Sequence, residues 1–356
     1  MFLIAILTAI GMFMGIRAGE SDPREHIILA FFGLAYPFFL LANVLILAYW
    51  TLRAKWLISA LTLVLICYGG NTLIATFGFF GTKGELQKDD ALVRMMTYNV
   101  HNFTPYGDEM SLLMKEKMLN VVVKQQPDVI CFQEFYTREK GPYDIIDSLK
   151  KLLNVNYYYF EPSSKSEREA IGMAIFSRFP ITNKGRIKFS GVVGNESIYV
   201  DLKVKDKVVR IYNVHLQSIS FMKEDYRYLD QVTKEMDPKM SASKRILRML
   251  KHAFKKRSEQ VDVMKAHTRA CQTSYIIAGD FNDTPASYVV RKMTDSLNNA
   301  FIKKGQGFGK TYNGKFPNFQ IDYIATTKDI EVVNYQIIEA KLSDHFPVRS
   351  DLRLKN

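Results

Sequence analysis

An apolar run of two or three membrane-spanning helices followed by a single α/β domain is what the sequence predicts, and two contrasts carry this. Ile27 to Leu52 and Trp56 to Gly81 contain no charged residue, and each exceeds the ~20 residues needed to cross a bilayer. From Thr82 onward the chain is polar, charged and rich in short strands, and roughly 270 residues suit one α/β domain.

The N-terminal region is read as residues 1–81, with spans near 27–50 and 57–79. A third stretch, 2–16, is apolar apart from Thr8 and at about 15 residues is short for a span. It has no basic residue before its apolar core, which argues against a cleaved signal peptide. Residues 82–91 read as a linker and 92–356 as the domain. Arg53 and Lys55 lie between the two long runs with no acid nearby, which favours the cytoplasmic side for that loop. The domain is then expected outside the cytoplasmic membrane, in the periplasm of a Gram-negative cell.

Composition narrows the chemistry. The three cysteines, Cys67, Cys131 and Cys271, lack metal or disulfide spacing and read as small packed residues. A net charge of +12 leans towards anionic partners, phosphate esters or an anionic membrane surface. Lys239 to Arg257 carries eight basic residues and no acid, with Ile246, Leu247, Leu250 and Phe254 as an apolar stripe at helical spacing. That pattern fits an outer helix docked by its stripe, or a helix that rests on a bilayer or grips an anionic substrate beside the site.

The candidate chemistry sits at strand ends. In YIIAGDFNDTP the apolar run from Tyr275 stops at Asp280, and alternation puts Asp280 and Asn282 on one side. LVRMMTYNV ends at Asn99, DVICFQEF delivers Glu134, and VVRIYNVHLQS presents Asn213 and His215 on one face. QIDYIA holds Asp322 within an apolar run, and LSDHFPV offers Asp344 and His345 before a proline. Singly, each has an ordinary reading as a turn, cap or satisfied polar residue. Together they supply what a hard divalent cation and acid–base groups acting on a phosphate require. Paired cysteines and HExxH are absent, so zinc fits poorly.

In order, TYNVHNF, CFQEF, YNVHLQS, GDFNDTP, IDYI and SDHFPV resemble the endonuclease/exonuclease/phosphatase superfamily, including DNase I and the bacterial sphingomyelinases. The resemblance runs from about Val93 to the C-terminus. It implies a four-layer sandwich, two mixed sheets face to face with helices outside and the site at one sheet edge. It further implies Mg²⁺ or Mn²⁺ as cofactor, with Glu134 as principal ligand and Asn99 and Asp344 contributing. Asp280 and Asn282 would position water and a phosphate oxygen, and His345, oriented by Asp322, would act as base or donor. His215 resembles the family's second histidine, and the acid and base labels among His215, Asp280 and His345 stay open. The expected activity is hydrolysis of a phosphodiester in nucleic acid or lipid by a membrane-anchored bacterial enzyme. A phosphomonoesterase of the same fold and a non-catalytic phosphate-binding membrane protein are the alternatives.

Overall fold

The structure is a computed structural model that describes residues 1–79, 81–87, 89–104, 111–191, 194–219, 228, 240–314 and 319–355. Its apolar first part forms five helices: α1 (Phe2–Ala18), α2 (Ile27–Leu34), α3 (Tyr36–Leu52), α4 (Trp56–Tyr68) and α5 (Gly70–Thr76). The two long apolar runs, expected as single spans, are each broken. Between α2 and α3 the chain bends by 61° at Ala35. Pro37 has no N–H to return to the preceding turn, and its ring crowds that turn. Helices α4 and α5 are bent by 68° at Gly69, beside Gly70. Among the described residues no single helix is long and apolar enough to cross a membrane, whereas each bent pair is by length and composition.

The second part carries strands β1 (Phe77–Gly78), β2 (Val93–Asn99), β3 (Val129–Arg138), β4 (Tyr157–Lys165), β5 (Glu169–Ser177), β6 (Ile181–Lys188), β7 (Glu196–Val204) and β8 (Lys207–His215). They continue with β9 (Ser274–Asp280), β10 (Asn298–Asn299), β11 (Gly307–Phe308), β12 (Asp322–Thr326), β13 (Ile330–Val332), β14 (Gln336–Ile337) and β15 (Val348–Leu354). A seven-stranded sheet runs β13-β15-β2-β3-β5-β4 with β14 on β15, and a six-stranded sheet runs β10-β12-β9-β8-β7-β6. Within them β2 and β3 are parallel, as are β8 and β9. The two pairs end together, since Asn99 at the end of β2 bonds Asp280 at the end of β9.

Alternation builds the layers. Val93, Met95, Val129 and Cys131 of one sheet meet Ile198, Val200, Ile211, Ile276, Ala278 and Ile324 of the other in the central core. The intervening residues face outward. Met96, Tyr98, Ile130 and Phe132 are covered by α6 (Leu112–Gln125) and α7 (Ile145–Leu153). Tyr212, Val214 and Ile277 are covered by α8 (Met240–Ala270) and α9 (Tyr288–Thr294), with the short α10 (Ala300–Lys304) at the sheet edge. Helix, sheet, sheet, helix is the four-layer order expected. The helices begin where side chains cap them: Ser111 Oγ accepts from Met114 N and Asp144 from Asp147 N.

The basic helix α8 docks by its apolar stripe, and its partner is the N-terminal region. Ile246, Leu250 and Phe254 pack on Ile27, Ala30, Phe31 and Leu34 of α2, while Leu247 stays exposed. The stripe is thus not a free membrane-resting face. Lys239, at the start of the basic run, lies outside the described residues, as does Lys88. Ion pairs Arg24–Asp262 (2.7 Å) and Arg291–Glu20 (2.9 Å) hold the same junction, and β1 pairs with β11.

Residues 82–87, expected as linker, are stitched onto the domain. The guanidinium of Arg94 donates to Glu85 O at 2.9 Å and Leu86 O at 2.7 Å, and binds Asp351 bidentately at 2.7 and 2.9 Å. Arg94 and Asp351 are both buried. Removing one partner strands the other's charge, at a cost of about 3–5 kcal/mol. Arg94→Met is therefore expected to lower the melting temperature by well over 5 °C in a thermal scan; a variant melting with wild type would show that this pair does not anchor 82–87.

Candidate active site

The alternation that fills the core also delivers the site. Val93, Met95 and Thr97 point inward on β2, and the next inward position is Asn99. By the same count β8 places Asn213 and His215 inward, β9 places Asp280 inward, and β12 begins with inward Asp322. In the parallel ladder His215 stands beside Asp280, and in the antiparallel one Asp280 stands beside Asp322. Where the apolar core stops, polar side chains from both sheets meet.

Two residues reach the site through strained backbone. Glu134 has φ 50° at a bulge in β3 between Phe132 and Phe135, and Asn282 has φ 54° just beyond β9. Non-glycine residues rarely hold positive φ, and such strain gathers at functional sites. The bulge changes the side on which Glu134 emerges, so that an unbroken β3 would not present it as it does.

Asp280 is the hub. It is buried, and its Oδ2 accepts from Asn99 Nδ2 at 3.1 Å and Asn282 Nδ2 at 3.1 Å, while Oδ1 accepts from Asn282 N at 2.7 Å. His215 Nε2 and His345 Nε2 each lie 3.7 Å from Oδ2. His345 Nδ1 faces both Asp322 oxygens at 3.2 and 3.0 Å, and Tyr312 stands edge-on to its ring. Burial pushes the Asp280 carboxyl up from 3.8 to about 6; Asp322 adds to this and the two imidazoles oppose it. Burial alone would lower His345, but Asp322 and Asp280 outweigh it and hold the ring well above 6.5.

All the sequence-predicted site residues come together, with one change of posture. Asn99 was expected to contribute to a cation site directly or through water. Its Oδ1 instead accepts from His101 N at 3.1 Å, and its Nδ2 donates to Glu134 Oε1 at 3.3 Å as well as to Asp280. It ties the two carboxylates together. Glu134 and Asp344 open onto a cleft of about 230 Å³ that Asp280, Asn282 and His345 also line. Asp280, Asp322 and His345 have ligand atoms within 4.8 Å of one another. Asp322 is nonetheless already committed to His345 Nδ1, so the cleft-facing Glu134 and Asp344 are the better cation ligands. Hard carboxylate oxygens suit a divalent cation. Among the described residues both ring nitrogens of buried His215 lack a hydrogen-bond partner, and Nε2 is 3.7 Å from Glu134.

Sequence reasoning missed three contributors. Gln133 donates to Asn213 Oδ1 at 2.6 Å, and Asn213 Nδ2 returns bonds to Phe132 O and Ala174 O at 2.8 and 3.0 Å, locking the sheets beneath the site. Buried Arg257 lines the cleft and is paired with Asp283 at 2.9 Å. Leu34 of α2 lines it too. Gln133 could have been found from its inward position on β3; Arg257 belongs to the basic run expected to lie on a bilayer or beside the site, although nothing local singled it out, and Leu34 arrives from a distant segment with no local signal.

A family model described as "Endonuclease/Exonuclease/phosphatase family" matches residues 96–345, and one described as a domain of unknown function matches residues 1–76. A search of curated protein sequences found no match. Among solved structures, an endonuclease/exonuclease/phosphatase from Beutenbergia cavernae is 18% identical with a TM-score of 0.52, covering 74% of this chain and 72% of that one. The catalytic domain of human Nocturnin with bound sulfate is 18% identical with a TM-score of 0.51, covering 75% and 96%. A humanized D. rerio TDP2 is 14% identical with a TM-score of 0.51, covering 74% and 99%. At such identities the likeness concerns the fold.

A histidine whose pKa is raised in the folded state stabilises the fold fully below its ordinary 6.5 and loses that contribution as pH climbs through the folded value. With EDTA present, the wild-type melting temperature is expected to fall as pH rises above 6.5, and Asp322→Asn to flatten that slope. Parallel slopes in a pH series of thermal scans would show that Asp322 does not hold His345 charged.

Proposed function

This chain belongs to the endonuclease/exonuclease/phosphatase family, and we propose that it is a membrane-anchored phosphoesterase that hydrolyses a phosphodiester with a divalent cation, Mg²⁺ or Mn²⁺. The observation carrying this reading is the convergence of Glu134, Asp344, Asp280, Asn282 and His345 on one cleft from the ends of both sheets, with His215 behind them 3.7 Å from Glu134 and Asp280. Family membership supports a phosphoester hydrolase; the diester preference, the cation and the anchoring are our inference.

Glu134 and Asp344 would hold the cation. When bound, it would polarise the phosphoryl group and offset the charge that builds on its oxygens. The protein's own groups do the rest. Asn282, fixed by bonds to Asp280 and Leu216 O, orients the attacking water and a phosphate oxygen. Asp280, with its pKa raised to about 6, is suited to accept the proton that water gives up. His345, held cationic by Asp322, donates Nε2–H to a non-bridging oxygen as negative charge accumulates. His215, whose ring nitrogens have no hydrogen-bond partner among the described residues, would donate to the leaving oxygen. A bond forms from water oxygen to phosphorus, the bond to the leaving oxygen breaks, and that oxygen takes a proton.

Removing one such group typically costs ~10²–10⁴-fold in rate. The purified full-length protein is expected to turn over nitrophenyl diesters faster than monoesters, with Mg²⁺ or Mn²⁺ and not with EDTA. Glu134→Gln is expected to remove most of this activity without lowering the melting temperature greatly, and His345→Ala to remove most of it at a lower melting temperature, with the domain still folded. Glu134→Gln activity within a few-fold of wild type would reject the cation assignment, and faster monoester turnover would reject the diester preference.

The anchoring proposal rests on the large apolar side chains exposed along α1, α3 and α4, among them Phe2, Leu3, Phe38, Leu41, Leu57 and Leu61. Contiguous apolar surface on this scale marks contact with lipid or protein. With the Arg53–Lys55 loop inside, the domain lies outside the cytoplasmic membrane. Full-length protein is expected to resist carbonate extraction, and alkaline phosphatase fused to its C-terminus to be active. A fluorescent cytoplasmic-type reporter lighting up at that position would reverse the orientation.

A further inference from the structure

The catalytic cleft has two unlike parts. The polar part carries Glu134, Asp280, Asn282, Asp344 and His345; the apolar part carries Leu34, Ile219, Leu250 and Phe254, which pack together, and Phe319 and Ile321. A site for a small hydrophilic phosphate has no use for six apolar side chains beside its reacting centre. The described lining of the cleft is also poor in free basic residues. Among the described residues it presents no lysine, and its one arginine, Arg257, is already paired with Asp283. A polyanionic strand gains its affinity from basic residues that neutralise successive phosphates.

The apolar part also leads somewhere. Leu34 is the last residue of α2, so the N-terminal region itself completes the cleft. Phe319, on the cleft, meets Phe38 of α3 edge-on with ring centroids 6.3 Å apart. Phe38 is 58% exposed, and Leu41 and Leu45 follow it along α3 at 59% and 61%. Offsets of three and four residues put these on one helix face. A continuous apolar path therefore runs from beside the catalytic carboxylates to the exposed face of α3.

We propose that the substrate is an amphiphile: a phosphoester whose head reacts against the polar part while its hydrocarbon chain lies along Leu34, Phe319 and Phe38. This rests on the phosphoesterase reading and adds the substrate class to it. The N-terminal helices then serve as part of the substrate site as well as an anchor. Esters of nucleic acid, which lack a flexible hydrocarbon chain, gain nothing from these side chains.

The test is a homologous series of alkyl 4-nitrophenyl phosphodiesters, methyl to dodecyl, each below its aggregation concentration, with the full-length protein in nanodiscs. Each methylene taken out of water is worth roughly fourfold in binding, and even partial burial should raise kcat/KM at least about tenfold from methyl to octyl. Phe38→Ser, at an exposed position that should fold normally, and Leu34→Asn are both expected to lower the octyl-to-methyl ratio severalfold. A flat series with the methyl ester still hydrolysed would overturn the amphiphile proposal and leave the phosphoesterase standing. A chain-length preference unchanged in both variants would assign it to partitioning into the disc and overturn the proposal as well. Absence of turnover for every ester would defeat the phosphoesterase reading and this one with it.

Discussion

A carboxylate buried where two sheets stop touching is the constraint around which the rest is arranged. Asp280 sits at the end of β9 with no solvent to stabilise its charge, so the fold must supply polar neighbours. They come from every side: Asn99 across the sandwich, Asn282 from the following turn, and the imidazoles of His215 and His345. Gly279 makes this placement possible. Its φ of 142° is a conformation L side chains rarely adopt, and a Cβ there would stand 2.0 Å from Val214 O of the neighbouring strand. The conformation that ends β9 thus requires glycine immediately before the hub.

Charge in the site is divided rather than pooled. Asp322 and Asp280 flank His345 and keep it protonated, so the buried part of the cluster contains its own counter-charge. Glu134 and Asp344 face the cleft, and Arg257, the one arginine lining it among the described residues, is paired with Asp283. The inner group is suited to moving and holding protons, the outer carboxylates to holding a cation. The amide of Asn99 spans the two, donating to Glu134 and to Asp280 at once. Below them, Gln133 and Asn213 fix the spacing between sheets, so that strand ends from opposite layers meet at hydrogen-bonding distance.

Much of this was legible in the sequence because alternation is a local rule. Asn99, His215, Asp280 and Asp322 could be placed from their own strands by counting inward positions from the apolar residues before them. Asp344 and His345 could be grouped with them only through the resemblance of six ordered motifs, since nothing near Leu342 to Val348 says which sheet it meets. What stayed hidden were tertiary matters. The bulge that turns Glu134, the reorientation of the Asn99 amide and the commitment of Arg257 to Asp283 all depend on partners far along the chain. The bends at Ala35 and Gly69 carried a local signal, in Pro37 and the paired glycines, yet hydropathy counted over ~20 residues passes across both. Least legible was the docking of the basic helix α8 on α2, because an apolar stripe does not name its partner.

The central claim is this division of labour between outer carboxylates and inner proton-handling groups. Anomalous diffraction at the manganese edge, from crystals of the full-length protein grown with Mn²⁺, tests it directly. The account predicts a peak within coordination distance of Glu134 and Asp344, with His345 still bonded to Asp322. A peak enclosed by Asp280, Asp322 and His345, or none near Glu134, would contradict it.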